Sequence, residues 1–340
     1  MKALRYYGPG EVGIEELQQP DITDGEVLVA VEACGICGTD IKTYVRGHPM
    51  IPAGVVLGHE VAGVVAATEH PDFKVGDRVA AAPYAPCLSC AMCQQGHFSL
   101  CENLFESSMS PGGFSELVRI PKRIADQALL KVPDNLDLAM ASLAEPLACC
   151  IHGLEAIDLQ AGQSLLVIGD GPMGILQAAL GKAMSATPVI LSGMTPNRLK
   201  FATQVADLVI DASKENLVDV LKGQLSGGPQ KVIVSVGNVD VAQEALPLVA
   251  RGGAINIFAG MPKDAVLSVS ASHIHYNEIK LLGTFGFGPQ HFRKALEFLA
   301  SDKLPIAGLF TSTVKLEGIE EALKAASRYE GIKTLVTINK

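Results

Sequence analysis

The stretch Ser164-Leu-Leu-Val-Ile-Gly169-Asp170-Gly171-Pro172-Met173-Gly174 decides the fold of the second half of the chain. Its opening apolar run is typical of a parallel strand that is covered on both faces. The pattern G-x-G-x-x-G follows, and an apolar helical stretch comes after it, which is the context of a dinucleotide-binding βαβ unit. Gly169 permits the tight turn, Gly171 lets a pyrophosphate approach the backbone, and Gly174 lets the helix pack on the strand. The helix N-terminus then offers N–H groups to the phosphates.

Strand and helix patterns continue to alternate up to about residue 284. Strands are predicted at 188–191, 207–211, 231–236, 254–259 and 278–282, and helices at 196–205, 214–222 and 239–249. Such alternation predicts a doubly wound parallel sheet of the α/β class, with its ligand outside the carboxyl ends of the strands. Gly237 and Gly260 stand at two such ends, where a flat ring needs close approach to the backbone. The alternative for both is a simple turn glycine.

The first 125 residues or so have a different pattern. Short strand patterns, such as 26–31 and 61–68, are separated by turns that contain Gly, Pro and Asp, and this predicts a β-rich, barrel-like domain. Two helical stretches and a strand near 334–338 are expected to return to that domain. We therefore predict one domain of residues 1–148 and 285–340, which carries the metal sites, and a cofactor-binding domain of residues 149–284.

Composition bounds the function. The chain has 340 residues, of which 48% are apolar, and a formal net charge of −9. This length suggests about two domains, and acidic charge argues against nucleic acid or an anionic membrane as the main partner. Its apolar runs are shorter than a bilayer span requires, and its first seven residues lack the apolar core of a signal peptide. We expect a soluble, cytoplasmic protein.

Four of the eight cysteines form the motif Cys87-x2-Cys90-x2-Cys93-x7-Cys101. Four thiolates at this spacing can close a tetrahedron around one zinc ion and leave no open position, so the predicted site is structural. Disulfides are less expected in a chain of this length without an export signal. An iron–sulfur cluster and unligated thiols are alternatives. Nucleic-acid binding by a zinc loop is a further one, which the acidic net charge argues against.

A second candidate metal site lies in residues 34–60, which we expect to be loops. Cys37, His59 and Glu60 place a thiol, an imidazole and a carboxylate within 24 positions. Three protein ligands that leave one position open are the catalytic arrangement of zinc. A buried structural cysteine and an ordinary core histidine are the alternative. Glu145 precedes a proline, which pushes it out of the helical region before the next helix begins; a plain N-terminal helix charge is its alternative.

These motifs resemble, in their order along almost the whole chain, the zinc-containing medium-chain dehydrogenase/reductase family of the alcohol dehydrogenase superfamily. The similarity is greatest to its polyol and threonine dehydrogenase-like branch. The motifs that carry it are Cys37-Gly-Thr39-Asp40, Gly58-His59-Glu60, the four-cysteine loop, Glu145-Pro146 and Gly169-x-Gly171-Pro172-x-Gly174. The resemblance implies a GroES-like catalytic domain joined to a Rossmann domain, and a homo-oligomer, a dimer or a tetramer.

The resemblance also implies the roles of the site residues. Cys37 and His59 are catalytic zinc ligands, and Glu60 or Glu145 supplies the carboxylate, with both sharing the work. Zinc lowers the pKa of the substrate hydroxyl, hydride passes to the nicotinamide, and Thr39 carries the proton away. Two zinc ions per chain are expected, one catalytic and one structural.

Cofactor binding is assigned to residues of the glycine turn and of the strand ends: Gly169, Gly171, Pro172, Met173, Gly174, Gly193, Arg198, Gly237 and Gly260. An NAD site needs an acidic residue about 20 residues past the glycines, to bind the ribose 2′-hydroxyl. Gly193 stands there instead, and no Asp or Glu occurs from Gly171 to Ala206. Because Arg198 can hold a 2′-phosphate, we predict that NADP(H) is accepted and slightly preferred over NAD(H). Packing of Arg198 on the adenine is the alternative.

Two carboxylates near zinc suit a polyhydroxylated alcohol, because its further hydroxyls need partners when buried. We therefore predict hydride transfer between a secondary alcohol of a polyol or sugar alcohol and NAD(P). Sorbitol itself is doubtful, because Gly286 stands where sorbitol dehydrogenases usually carry Arg. A threonine or butanediol-type dehydrogenase is the alternative, with Lys42 or Arg46 for a substrate carboxylate. A non-catalytic zinc- and nucleotide-binding relative is the alternative of another class.

Overall fold

A computed structural model describes residues 1–339, which fold into two compact units. Of the described residues, unit 1 comprises 1–148, 287–302 and 308–339, and unit 2 comprises 149–286 and 303–307. Relative to the predicted ranges, residues 285–286 and 303–307 go with unit 2.

The elements are numbered here in chain order over residues 1–339. The strands are β1 (Lys2–Gly8), β2 (Glu11–Glu16), β3 (Val27–Gly35), β4 (Glu60–Thr68), β5 (Arg78–Ala81), β6 (Leu117–Ile120), β7 (Leu129–Lys131), β8 (Leu165–Ile168), β9 (Val189–Gly193), β10 (Leu208–Asp211), β11 (Lys231–Val234), β12 (Ala254–Ile257), β13 (Lys280–Gly283), β14 (Phe310–Lys315) and β15 (Lys333–Thr337). The α-helices are α1 (Gly38–Arg46), α2 (Ala91–Gln94), α3 (Lys122–Ala128), α4 (Leu138–Ala141), α5 (Ala144–Ala156), α6 (Pro172–Ala183), α7 (Pro196–Ala202), α8 (Leu217–Gln224), α9 (Val239–Ala245), α10 (Ala271–Asn277), α11 (Pro289–Ala300) and α12 (Ile319–Ser327).

Unit 2 is built on a parallel sheet in the order β10-β9-β8-β11-β12-β13. The side chains of β8 are buried, as a strand covered on both faces requires. The chain leaves β8 toward β9 on one side and reaches β11 on the other, so the strand order reverses beside β8. Ligands of such sheets bind at this reversal. The predicted doubly wound α/β fold is confirmed.

Unit 1 contains a mainly antiparallel sheet in the order β14-β15-β3-β4-β5-β7, with β6 also paired to β3. The long pair β3–β4 forms its centre, and its register sets Gly35 opposite Glu60. A separate hairpin joins β1 and β2. The predicted β-rich, GroES-like domain is confirmed, and the Gly35–Glu60 register brings the two halves of the candidate metal site together.

One local prediction is wrong. The stretch from Cys34 to Glu60 is not loop throughout, because Gly38–Arg46 forms α1 and Glu60 opens β4. Cys37 is the N-cap of α1: its sulfur accepts the Thr39 N–H, and the Asp40 side chain accepts the Cys37 N–H in return. This reciprocal capping offsets the poor helix propensity of the first residues, Gly38 and Thr39.

A second correction concerns Glu145. It lies inside the first turn of α5, which begins at Ala144, and not before the helix. Proline is tolerated there because the first N–H groups of a helix have no partner inside it. The Leu147 N–H nevertheless bonds Leu143 O at 3.0 Å, so the turn forms across Pro146.

No helix within residues 1–339 combines the length and the apolar character that crossing a bilayer needs.

Candidate zinc centres and cofactor site

The first candidate centre joins the end of β3 to the start of β4. Cys37, His59 and Glu60 each offer one ligand atom, and these three atoms lie within 4.8 Å of one another. Glu60 is buried, whereas Cys37 and His59 are partly exposed. A thiol, an imidazole and a carboxylate at this separation suit one zinc ion, and the partial exposure leaves a side open to a further ligand.

Glu60 also contacts a lysine from the far end of the chain. Lys333 Nζ lies 2.8 Å from Oε1 and 2.7 Å from Oε2 of Glu60, and it donates to Ile36 O at 3.2 Å. Oε2 is fully buried, and within residues 1–339 its contact with Lys333 is an ion pair without hydrogen-bond geometry. Gly35 leaves the room for it, since a Cβ there would overlap Oε2. A buried carboxylate beside a thiol and an imidazole, with lone pairs that one lysine does not use up, fits a bound cation.

Asp40 supports the same centre from α1. Its buried carboxylate accepts the N–H of Cys37 at 2.9 Å and of Gly58 at 3.3 Å, and its Oδ1 lies 3.7 Å from His59 Nδ1. Burial would lower the pKa of His59, but Cys37 and Asp40 raise that pKa well above its ordinary value. The cluster therefore attracts positive charge, which a metal ion can supply.

Glu145 lies near the centre but outside the ligand group. Within residues 1–339, the group around Cys37 and His59 includes Glu60 and not Glu145. The pKa of Glu145 is raised to about 7, chiefly by burial and also by the charge of Glu60, while His59 and Lys333 oppose the rise. The charges of the centre thus affect the pKa of Glu145. Its role as a zinc ligand stays a prediction.

Three further residues that the sequence analysis names, Thr39, Lys42 and Arg46, lie in α1. The Thr39 N–H donates to Cys37 Sγ at 3.5 Å, which places Thr39 beside the candidate ligand. Lys42 and Arg46 are exposed.

The second candidate centre is the four-cysteine loop. Cys87, Cys90, Cys93 and Cys101 offer ligand atoms within 4.8 Å of one another. The sulfurs of Cys87 and Cys93 are 4.0 Å apart, and those of Cys90 and Cys101 are 3.9 Å apart. Four sulfurs bound to one zinc ion at about 2.3 Å lie about 3.8 Å from one another. These separations therefore fit a tetrahedral zinc site and are far too long for disulfides.

Hydrogen bonds favour thiolates at part of this loop. The side chain of Ser89 and backbone N–H groups lower the pKa of Cys87 to about 5, and backbone N–H groups also lower the pKa of Cys90. Burial raises the pKa of Cys93 to about 12. A cation is therefore needed to hold all four sulfurs as thiolates.

The glycine turn of unit 2 has the geometry that its sequence predicts. Gly169 adopts φ +122°, which favours glycine, and a Cβ on Gly174 would collide with Gly169 O. Around Gly171 the space is open, so a phosphate can approach the backbone. The ends of β11 and β12 also meet, because a Cβ on Gly237 would lie 2.7 Å from Gly260 O. These features form a cradle that fits a dinucleotide.

The structure adds Asp170, which the sequence analysis did not single out. Its Oδ2 accepts the N–H of Met194 at 2.9 Å and of Thr195 at 2.6 Å. The carboxylate therefore lies at the end of β9, against Gly193. Arg198, in α7, is buried. Its place inside the glycine motif was the one sequence signal that could have indicated a role for Asp170. Its contact with the end of β9 could not be predicted, because that contact depends on β8 and β9 being neighbours in the sheet.

Comparison with known proteins matches a stretch in each half of the chain to a dehydrogenase family. Residues 23–134 match the alcohol dehydrogenase GroES-like domain, and residues 172–301 match the zinc-binding dehydrogenase family. Sorbitol dehydrogenase of Bacillus subtilis (strain 168) is 32% identical, over 100% of this chain and 98% of that protein. L-galactonate-5-dehydrogenase of Escherichia coli K12 is 29% identical over 99% of each chain. Among solved structures, an NADP-bound dehydrogenase described as zinc-binding, from Sinorhizobium meliloti 1021, has a TM-score of 0.91 at 29% identity and covers 99% of this chain and 98% of its own.

Proposed function

The chain belongs to the zinc-dependent medium-chain dehydrogenases of the alcohol dehydrogenase superfamily, and we propose that it transfers hydride between a secondary alcohol of a polyol or sugar alcohol and NAD(P). The predicted family is confirmed. The observation that carries the proposal is the group of Cys37, His59 and Glu60, whose ligand atoms lie within 4.8 Å of one another. When bound there, zinc supplies a Lewis acid that lowers the pKa of the substrate hydroxyl.

The residues of the chain prepare the site for that chemistry. Cys37 and His59 hold the metal, with Glu60 or Glu145 as the third ligand. Asp40 orients His59 and fixes the Cys37 backbone, as outer carboxylates do around metal-bound histidines. We assign Thr39 to remove the proton of the substrate hydroxyl, since Thr39 follows the ligand cysteine by two residues and contacts its sulfur.

The proposed substrate class rests on the two carboxylates of the site and on the names of the similar proteins. A buried site with Glu60 and Glu145 offers acceptors to further hydroxyls of a polyhydroxylated substrate, which would otherwise lose hydrogen bonds on burial. The relatives named above are called sorbitol dehydrogenase and L-galactonate-5-dehydrogenase, so a sugar alcohol and a sugar-acid alcohol are the first candidates. The proposed cofactor is NAD(P), held by the glycine turn. The slight NADP preference predicted from the sequence rests on Gly193 and Arg198 and does not count Asp170.

The four-cysteine loop completes the proposal with a structural zinc ion, giving two zinc ions per chain. Its sulfur separations support this assignment. We further propose a cytoplasmic homo-oligomer, a dimer or a tetramer. Support for the oligomer comes from the edge strand β13, where Leu281 and the nearby Phe285 are exposed. Light scattering of the purified protein tests the oligomer.

A substrate panel tests the function. Purified protein, with its zinc content measured, is assayed for cofactor reduction on sorbitol, xylitol, L-galactonate, L-threonine and 2,3-butanediol, each with NAD and with NADP. We expect turnover on a polyol or sugar-acid alcohol, and its loss with a chelator or in Cys37→Ser. Turnover on threonine or butanediol alone would point to the alternative dehydrogenase. Zinc-loaded, nucleotide-binding protein that turns over none of these alcohols would favour the non-catalytic relative.

A further inference from the structure

Asp170 connects two neighbouring strand ends of unit 2. It stands between the first two glycines of the turn after β8, and its Oδ2 accepts the N–H groups of Met194 and Thr195, which follow β9. These bonds are 2.9 and 2.6 Å long. A carboxylate from the glycine turn is thereby fixed at the end of the next strand, where dinucleotide-binding units keep the acid that binds the ribose.

Gly193 and Asp170 compete for the same space. A Cβ on Gly193 would lie 2.6 Å from both Cγ and Oδ2 of Asp170, and closer still to its Cβ. Gly193 ends β9 and has no left-handed backbone conformation, so space and not φ excludes a side chain there. The absence of an acid at position 193 and the presence of one at position 170 therefore go together, because the Asp170 side chain fills the space that a side chain at 193 would need.

We infer that Asp170 takes the place of the strand-end acid, so that it accepts the ribose 2′-hydroxyl of NAD and disfavours the 2′-phosphate of NADP. This inference rests on the proposed binding of a dinucleotide at the glycine turn. A carboxylate has about four lone-pair sites, and the two amides use two of them, so it can also accept a hydroxyl. A 2′-phosphate meets its negative charge and finds the N–H groups of Met194 and Thr195 already bonded.

The inference reverses the preference predicted from the sequence. That prediction counted acids only beyond Gly171 and found none up to Ala206. The fold itself accommodates a 2′-phosphate, since the Sinorhizobium meliloti relative binds NADP. Discrimination therefore has to come from single side chains near the ribose, and Asp170 is the acid that the structure places there.

Binding of nucleotide fragments tests the inference without turnover. Dissociation constants of AMP and adenosine 2′,5′-bisphosphate, and of NAD and NADP, are measured by calorimetry on the zinc-loaded protein. The wild type should bind the 2′-hydroxyl ligands more tightly. Asp170→Asn keeps an oxygen for the two amides but loses the charge, and it should shift the ratio about tenfold or more toward the 2′-phosphate ligands.

A matched control is Asp211→Asn. Asp211 ends the neighbouring strand β10, where its carboxylate contacts Ser213 and Lys214, and it should leave the ratio unchanged. A second variant moves the acid: Asp170→Gly with Gly193→Asp should keep the discrimination, because only glycine at 170 makes room for a side chain at 193.

The possible outcomes distinguish a failure of the Asp170 inference from a failure of the proposed function. A wild type that prefers the 2′-phosphate ligands, or a ratio that Asp170→Asn leaves unchanged, overturns the role of Asp170. So does loss of discrimination in the double variant while it still binds AMP. If folded wild type binds neither AMP nor NAD nor NADP, the proposed function fails instead.

Discussion

Lys333 Nζ lies within 2.8 Å of both carboxylate oxygens of Glu60, and both side chains are almost completely buried. Lys333 is the first residue of β15. Leu335 of that strand pairs with Gly35 of β3, and Gly35 pairs in turn with Glu60 of β4. Strand β15 thus places the Lys333 ammonium beside a candidate metal site that is formed by residues near the start of the chain. Burial would lower the pKa of Lys333, but Glu60 and Cys37 raise it, so the lysine remains charged.

Replacing this lysine should cost stability. Lys333→Met leaves Glu60 buried without its partner, and breaking a buried pair from one side costs about 3–5 kcal/mol in free energy of unfolding. Urea unfolding at a fixed zinc concentration measures it. Lys324→Met is the control, because the exposed Lys324–Glu321 pair, 2.7 Å long, is worth about 0–1 kcal/mol. Equal losses in the two variants would contradict the prediction. Glu60→Gln added to Lys333→Met should recover part of the loss.

The sequence predicted what depends on local spacing. The glycine turn at 169–174 and the four-cysteine loop at 87–101 each need only their own residues and a short piece of chain, and the structure gives both the expected geometry. Capping by Cys37 was missed because Gly38 and Thr39 are weak helix formers, so the pattern indicated a loop.

Contacts between distant segments could not be predicted in this way. Lys333 meets Glu60 across 273 positions, and only the pairing of β15 with β3 and of β3 with β4 brings them together. Asp170 reaches Met194 because β8 and β9 are neighbours in register. A single sequence carries no signal for either contact, since strand order is a property of the whole sheet.

The four-cysteine loop should hold one zinc ion by itself. Cys93→Ser should reduce the zinc content from two ions to one per chain and lower the unfolding midpoint, because a long loop loses its cross-link. Elemental analysis after dialysis measures the content. Cys34→Ala is the matched control: Cys34 is buried, burial raises its pKa well above the ordinary value, and it belongs to neither ligand group within residues 1–339. Two zinc ions in Cys93→Ser would exclude the assignment.

Glu145 should make the metal-free protein less stable as the pH rises. Burial raises its pKa to about 7 from an ordinary value of 4.5. Above pH 4.5 the carboxyl loses its proton in the unfolded chain but keeps it in the fold, so stability falls between these values, by at most about 3 kcal/mol, and then levels off. Glu145→Gln should remove that part of the fall in chelator-treated protein. The exposed Glu297→Gln should leave the profile unchanged; an identical fall in wild type and Glu145→Gln would contradict the expectation.

Asp40 should govern zinc affinity without being a ligand. Its carboxylate holds the Cys37 and Gly58 N–H groups and faces His59 Nδ1, so it fixes both candidate ligands before the metal arrives. Loss of such a supporting group typically weakens metal binding about 10–100-fold. Asp40→Asn keeps the size of the side chain but loses the charge that faces the imidazole, together with one of the two oxygens that accept the Cys37 and Gly58 N–H groups. We therefore expect a weakening in this range, measured by competition with a chelator of known affinity.

The matched control for Asp40 is Asp137→Asn. Asp137 also caps a helix, since its Oδ1 accepts the Met140 N–H at 2.7 Å at the start of α4, but it belongs to neither ligand group within residues 1–339. Both substitutions remove one capping charge, so any general loss of helix stability should appear in both variants. Only Asp40→Asn should release the zinc of the Cys37–His59 site at lower chelator concentration. Equal zinc affinity in the two variants would mean that Asp40 caps α1 and does nothing further for the metal.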